Sequence, residues 1–155
     1  HGDAENVGYL VFTPGDLVSS SGPSSPTIVG ASHTGAVVNT QHLSSSYDGL
    51  TLGNGSSGTF GLQAVGATVT FQLAEPTTVS QVDIALGNNG TPPPTKRIEI
   101  ELRVSGAWQS VGTYTIDVAN SGDYDSFTFP SIASVTNIRL TAVDNWIYLD
   151  EVRAS

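Results

Sequence analysis

The 155-residue chain contains no cysteine and no methionine. Without thiols there are no disulfides, no thiolate metal sites and no cysteine nucleophile, and the redox compartment stays open. Basic residues are scarce: Lys96 is the only lysine, and five Lys and Arg face fourteen Asp and Glu for a net charge of −9. Nucleic acids and anionic membranes both need clustered positive charge, so neither is expected as a partner. No apolar run approaches membrane-spanning length. Helical periodicity is missing too, because no stretch of about eleven residues keeps apolar positions at i, i+3, i+4 and i+7. Neither a Gly-x-Ser-x-Gly nucleophile elbow nor a phosphate-binding loop is present.

What remains is a chain with 12% charged residues and many Gly, Ser and Thr, which suits a secreted β-rich module. It begins at His1 with neither initiator methionine nor signal peptide, the expectation being a processed or excised piece of a longer protein. The length suits one domain with its own core. Residues 1–66 are loop-rich, with short apolar runs at Gly8–Phe12 and Ala36–Val38 between glycine–serine clusters. From Ala67 the pattern turns regular. Val69, Phe71 and Leu73 alternate with polar residues, and Val82, Ile84 and Leu86 follow after a turn expected at Glu75-Pro76. In Arg97–Val104 four apolar residues occupy one face and four charged residues the other. Ala107–Ile116, Ser126–Phe129 and Asn137–Val143 supply three more strands. Short alternating strands with polar connections and no helix predict an all-β antiparallel sandwich or barrel of about eight strands, with Arg97–Val104 near the middle of a sheet.

The last expected strand, Trp146–Val152, carries the chemistry. By alternation Ile147, Leu149 and Glu151 share one face, with Trp146, Tyr148, Asp150 and Val152 on the other. If Ile147 and Leu149 face the core, so does Glu151, and a buried carboxylate must be paired, bound to a cation or neutral. The alternative is that the strand frays after Leu149 and Glu151 is solvated.

The order of features is informative. Tyr47-Asp48-Gly49 leads to Thr59-Phe60 and Ala67–Leu73, then to Thr78–Ile84 and Lys96–Ile100. Trp108–Val111, Phe127–Pro130, Val135–Thr141 and the closing Leu149–Val152 follow. This resembles the discoidin, or coagulation-factor C-type, superfamily of galactose-binding-like jelly rolls, and within it the family 32 carbohydrate-binding modules. The resemblance covers residues 44–155 of a single domain; residues 1–43 are its loop-rich lead-in. It implies a structural calcium site held by the Ser45 carbonyl, the Asp48 carboxylate, Thr59, the Asp150 carbonyl and the Glu151 carboxylate. All are hard oxygen donors, as calcium requires. The loop between Gly49 and Thr59 is longer than the family pattern, so Asn54 or a carbonyl in Leu50–Gly53 is an alternative to Thr59.

The resemblance also implies a non-catalytic module that binds carbohydrate, cut from a larger secreted polysaccharide-degrading or adhesive protein and monomeric within it. Sugars are met by an exposed aromatic ring with short polar groups beside it. Trp146, next to Asn145 at a loop-to-strand junction, is the candidate platform, packing against a neighbouring sheet being its alternative; Tyr148 is expected to pack. Trp108 shares the phase of Tyr114 and Ile116 and is expected in the core. Family modules grip sugar hydroxyls with His, Arg and Asn from loops; His33, Asn88, Asn89 and Arg97 are the candidates, with Pro92-Pro93-Pro94 stiffening their loop. The acidic balance favours a neutral glycan.

Other chemistries are less well served. Glu99 and Glu101 read as a solvated face rather than a glycosidase pair. Asp123 and Asp125 read as turn residues, with a second cation as the alternative. A copper-binding histidine brace would need His1 with His33 or His42. A discoidin-like adhesion domain for proteins or membranes would show apolar spikes with basic residues on its loops, and this chain has few of the latter.

Overall fold

The computed structural model describes residues 26–51, 58–87, 95–117 and 123–155. The strands are β1 (Ile28–Thr34), β2 (Val37–Val38), β3 (Phe60–Leu62), β4 (Thr68–Leu86), β5 (Lys96–Val104), β6 (Ala107–Ile116), β7 (Tyr124–Ala142) and β8 (Ile147–Ala154). A 3₁₀ segment, Thr40–Tyr47, lies between β2 and β3. Every strand pairing is antiparallel.

Two strands of 19 residues, β4 and β7, organise the molecule. They pair along their whole length, with register breaks between Gln72 and Gln81. Before the breaks β4 lies between β1 and the second half of β7, which continues to β5 and β6. After them β4 lies between β8 and the first half of β7, and β8 continues to β3 and β2. Each long strand therefore belongs to both layers of a sandwich. Phe71, Ile98, Ile100 and Leu140 from one layer meet Phe60, Ile84, Ile147 and Leu149 from the other, all at most 1% exposed. Burying side chains of this size contributes roughly 1.5–3 kcal/mol each.

The jelly-roll sandwich agrees with the strand pattern, and several details differ. Glu75-Pro76 is a bend inside β4, not a turn between strands, because Pro76 sits where the ladder is already interrupted. Ser126–Phe129 and the expected strand Asn137–Val143, as far as Ala142, are likewise parts of one strand, β7. Arg97–Val104 lies one strand in from the edge, with β6 outside it. β1 lacks alternation, since a register break between Ile28 and Gly30 interrupts it, and so escapes a pattern search. Trp108 is on the outer surface, not in the core. The β5–β6 register shifts between Ile100 and Glu101, beside Gly112 at φ 140°, and the inward phase of Tyr114 and Ile116 is lost beyond it. Trp108 instead packs under the Arg139 guanidinium, 4.1 Å from its ring centroid.

Candidate functional site

The turn from β7 into β8 is held from the start of β5. Arg97 donates from its backbone N–H to Asp144 Oδ2 at 2.8 Å and from its guanidinium to both carboxylate oxygens at 3.1 and 2.9 Å. That hydrogen bonding holds the Asp144 carboxyl below its usual pKa, against a smaller opposing effect of burial. The Val143 N–H donates to the Arg97 carbonyl at 3.1 Å, and the buried Lys96 donates Nζ to the Asn145 carbonyl at 2.7 Å. On the other side, Trp146 donates its N–H to the Gln63 carbonyl at 3.3 Å.

Trp146 pays for its position with a φ of 57°, a left-handed backbone that a bulky residue rarely adopts. Its ring is 42% exposed and stacks on Tyr148, with centroids 6.2 Å apart and planes 18° from parallel. Tyr148 in turn lies over Gly61, its cross-strand partner. A Cβ at Gly61 would come within 2.8 Å of the Tyr148 ring and 2.9 Å of Val38, so glycine is what lets the ring lie down on the strand. The result is an aromatic pair, half-buried below and open above, with Asn145 exposed beside it. Val65, 68% exposed, is on the loop that includes Gln63. Such a ring can stack on the C–H face of a sugar while neighbouring polar groups take its hydroxyls.

A second cluster forms around Glu151. Alternation along β8 misplaces this residue. Leu86 pairs with Leu149 while Ala85 pairs with Glu151, so Asp150 is a bulge. The bulge returns Val152 and Ala154 to the core, and Glu151 points away from them, toward the turn after the 3₁₀ segment. Glu151 is nevertheless only 2% exposed. The Gly49 N–H donates to its Oε1 at 2.9 Å, while Oε2 is buried without a hydrogen-bond partner. Burial, with the like charge of Asp48 added, pushes its pKa up to about 7. Thr59 immediately precedes β3, whose first residue, Phe60, pairs with Leu149 of β8. Thr59 and Asp150 are buried, Ser45 is half-buried in the 3₁₀ segment, and Asp48 is exposed with Oδ1 accepting from the Leu50 N–H at 2.9 Å. An open cleft of about 270 Å³ runs along Tyr47–Gly49 and Glu151–Arg153. Two carboxylates set against each other, one with an orphaned buried oxygen, fit a hard cation. Among the described residues no three His, Asp or Glu side chains group for a metal, so neutral oxygens would complete such a shell.

The remaining candidates scatter. Arg97 is beside Trp146, but its guanidinium is engaged by Asp144. His33 is exposed on β1 with its ring 5.7 Å from Phe60, and His42 is in the 3₁₀ segment. Asp125 is not a turn residue but lies in β7 opposite Ile84, and its Oδ2 accepts from the Asp117 N–H at 2.8 Å. His1, Asn54, Asn88, Asn89 and Pro92–Pro94 lie outside the described residues. Lys96, Asp144, Gly61 and Gln63 build the platform without having been singled out. Only the position of Asp144 before Asn145-Trp146 hinted at it, because their partners are distant in sequence.

No family model and no curated protein sequence matches this chain. Solved structures do. A family 32 carbohydrate-binding module of AlyQ, in complex with 4,5-unsaturated mannuronic acid, is 20% identical with a TM-score of 0.68, over 86% of this chain and 98% of that one. A pectin-binding carbohydrate-binding module is 16% identical with a TM-score of 0.66, over 84% and 92%. The family 32 module of C. perfringens NanJ, in complex with galactose, is 20% identical with a TM-score of 0.63, over 81% and 91%. The chain thus has the discoidin-like β-sandwich fold of these modules.

Proposed function

We propose that this chain is a non-catalytic carbohydrate-binding module whose platform is Trp146 on Tyr148, with Asn145 beside it. The observation that carries this reading is the exposed Trp146 ring, held at a strained backbone by Gln63 and by the Arg97–Asp144 clamp behind it. Strain of this kind persists where surroundings over-determine it, and it clusters at binding sites. Solved structures of the same fold, described as modules in complex with sugars, support the reading. The ligand we favour is a neutral glycan. Arg97 is neutralised by Asp144, Lys96 is buried and turned to a carbonyl, and the net charge of −9 repels polyanions. We place the module in a secreted protein with catalysis, if any, in an attached domain.

A structural calcium belongs to the same proposal. Glu151 and Asp48 would hold it with Thr59 and the carbonyls of Ser45 and Asp150. The cation would neutralise two facing carboxylates and tie the 3₁₀ segment to β8.

An open single-sugar site of this kind binds at a Kd of roughly 0.1–1 mM, about 4–5.5 kcal/mol. A glycan array followed by calorimetry with neutral and uronic-acid oligosaccharides tests the reading. Trp146→Ala is expected to weaken binding by about tenfold or more. A Trp146→Ala protein that binds as tightly as wild type would move the site elsewhere, with His33, Asn89 and Arg97 next to be tested.

A further inference from the structure

The five basic residues of this chain all lie within the described segments, and four of them have partners. Arg97 pairs with Asp144, Arg139 with Glu101 and Arg153 with Asp83, while the buried Lys96 donates to the Asn145 carbonyl. Arg103 differs: among the described residues no carboxylate lies within ion-pairing distance of it. It is exposed on β5, and its guanidinium is 5.9 Å from the Trp108 ring centroid. A cation–π contact of that reach orients a guanidinium without neutralising it.

Register sets Arg103 in a row. Gln72 of β4 pairs with Asn137 of β7, Asn137 with Arg103 of β5, and Arg103 with Trp108 of β6. Residues directly opposite in paired strands share a face. This is the outer face of its layer, because the adjoining Phe71, Ile138 and Leu102 are core. Four strands at a spacing of about 4.8 Å make the row about 14 Å long. Gln72 and Arg103 are exposed, Asn137 and Trp108 half-buried. In the next row Arg139 and Glu101 close on each other through two hydrogen bonds of 2.8 Å, with the Arg139 guanidinium 4.1 Å from the Trp108 centroid. One row further, Glu99 accepts from the Ser110 hydroxyl at 2.9 Å. Exposed charges more than about 8 Å apart are largely screened at physiological salt. The net charge of −9 therefore opposes a polyanion, but not one carboxylate placed at Arg103.

We infer that this row is a second glycan contact, separate from the Trp146 platform, in which Arg103 takes the carboxylate of a uronic-acid residue. The planar guanidinium matches a carboxylate in a two-pronged fork. Trp108, packed under Arg139, fixes where Arg103 points. Asn137 and Gln72 continue the row with carboxamides, which both donate to and accept from sugar hydroxyls. Asn137 Oδ1 accepts from the Thr136 hydroxyl at 2.9 Å, which leaves its NH2 for a ligand. Arg97, beside Trp146, is six residues from Arg103 along β5, about 20 Å. A mainly neutral polysaccharide with occasional uronic acids would touch both contacts and gain avidity. That link rests on the proposed Trp146 platform; the Arg103 contact does not.

The chain has two tryptophans, one at each contact, so their indole N–H signals in two-dimensional proton–nitrogen spectra report the two separately. Titration with sodium glucuronate or sodium galacturonate is expected to shift the Trp108 signal, and glucose or galactose to leave it in place. Arg103→Gln is expected to weaken the uronate response by about tenfold or more. Added salt weakens it in wild type, as for any exposed charge pair. Arg103 is exposed, so a melting temperature near wild type shows that the variant is folded. Trp146→Ala is expected to leave the Trp108 response unchanged. A Trp108 signal that ignores both uronates, or follows the neutral sugars equally, overturns the inference. So does a uronate response as strong in folded Arg103→Gln as in wild type.

Discussion

At Trp146 the chain accepts a left-handed backbone that glycine would adopt at lower cost, and the stacked Tyr148 beneath it supports an exposed ring. Platform and strain can therefore be separated by substitution. Trp146→Gly relieves the backbone, so its melting temperature is expected to stay near wild type while glycan affinity is lost. A large drop in melting temperature would mark the ring as core instead. Gly61→Ala puts a methyl within 2.8 Å of the Tyr148 ring. It is expected to destabilise by about 1–3 kcal/mol and to weaken sugar binding as well, because Tyr148 carries Trp146. Glu151 calls for a pH measurement. Its folded pKa of about 7 lies above the ordinary value of 4.5 for a glutamate, burial being the main cause. In chelator-treated protein, the stability tied to its proton is present below pH 4.5 and lost as pH rises through 7. The loss is on the order of 3 kcal/mol. Denaturant titrations across that range should show the fall in wild type and a flatter profile in Glu151→Gln.

Among the elements, the β7–β8 turn and β8 itself set the geometry. The turn is positioned by β5, since one carboxylate, Asp144, accepts three hydrogen bonds from Arg97. Asp144→Ala frees the turn, and Trp146 with it. Because the pair is exposed, global stability should barely move, as is usual for surface ion pairs. Affinity is expected to fall severalfold, read by calorimetry on the tightest glycan found for wild type. Equal affinity in Asp144→Ala would mean that the turn keeps its shape without the clamp. In β8 the bulge at Asp150 lets one strand place Leu149 and Val152 in the core and still turn Glu151 toward Gly49.

For the molecule as a whole, the proposed calcium acts through mass action. A ligand that binds only the folded state stabilises by about 2.7 kcal/mol at a free concentration one hundred times its Kd. In a domain of this size that is roughly 5–10 °C in Tm. Chelation is expected to lower the wild-type Tm accordingly and to leave Glu151→Gln almost unchanged. Identical melting of wild type with and without chelator would dismiss the site. The rise in stability on adding calcium should also be larger at pH 8 than at pH 5, since the cation needs Glu151 ionised and protons compete for it.

The strand pattern from Ala67 onward was legible because each strand has one wet and one dry face, and period-two alternation is a local property. Val69, Phe71, Ile98, Ile100, Leu140 and Ile147 are all core, as their spacing required. Acidic charge and the absence of thiols followed from composition alone. Three things were not local. The register breaks in β4, β6 and β8 come from pairing with neighbours, and each defeats an alternation argument: Glu75-Pro76 becomes a bend, Trp108 leaves the core, and Glu151 changes face. The union of Gly49 with Glu151 spans 102 positions, and that of Arg97 with Asp144 spans 47. No local pattern near either carboxylate names its partner; only the family resemblance had grouped Asp48, beside Gly49, with Glu151. Tertiary structure decided those meetings, because only the closed sandwich brings the ends of distant strands together and takes water away from the carboxylate it buries.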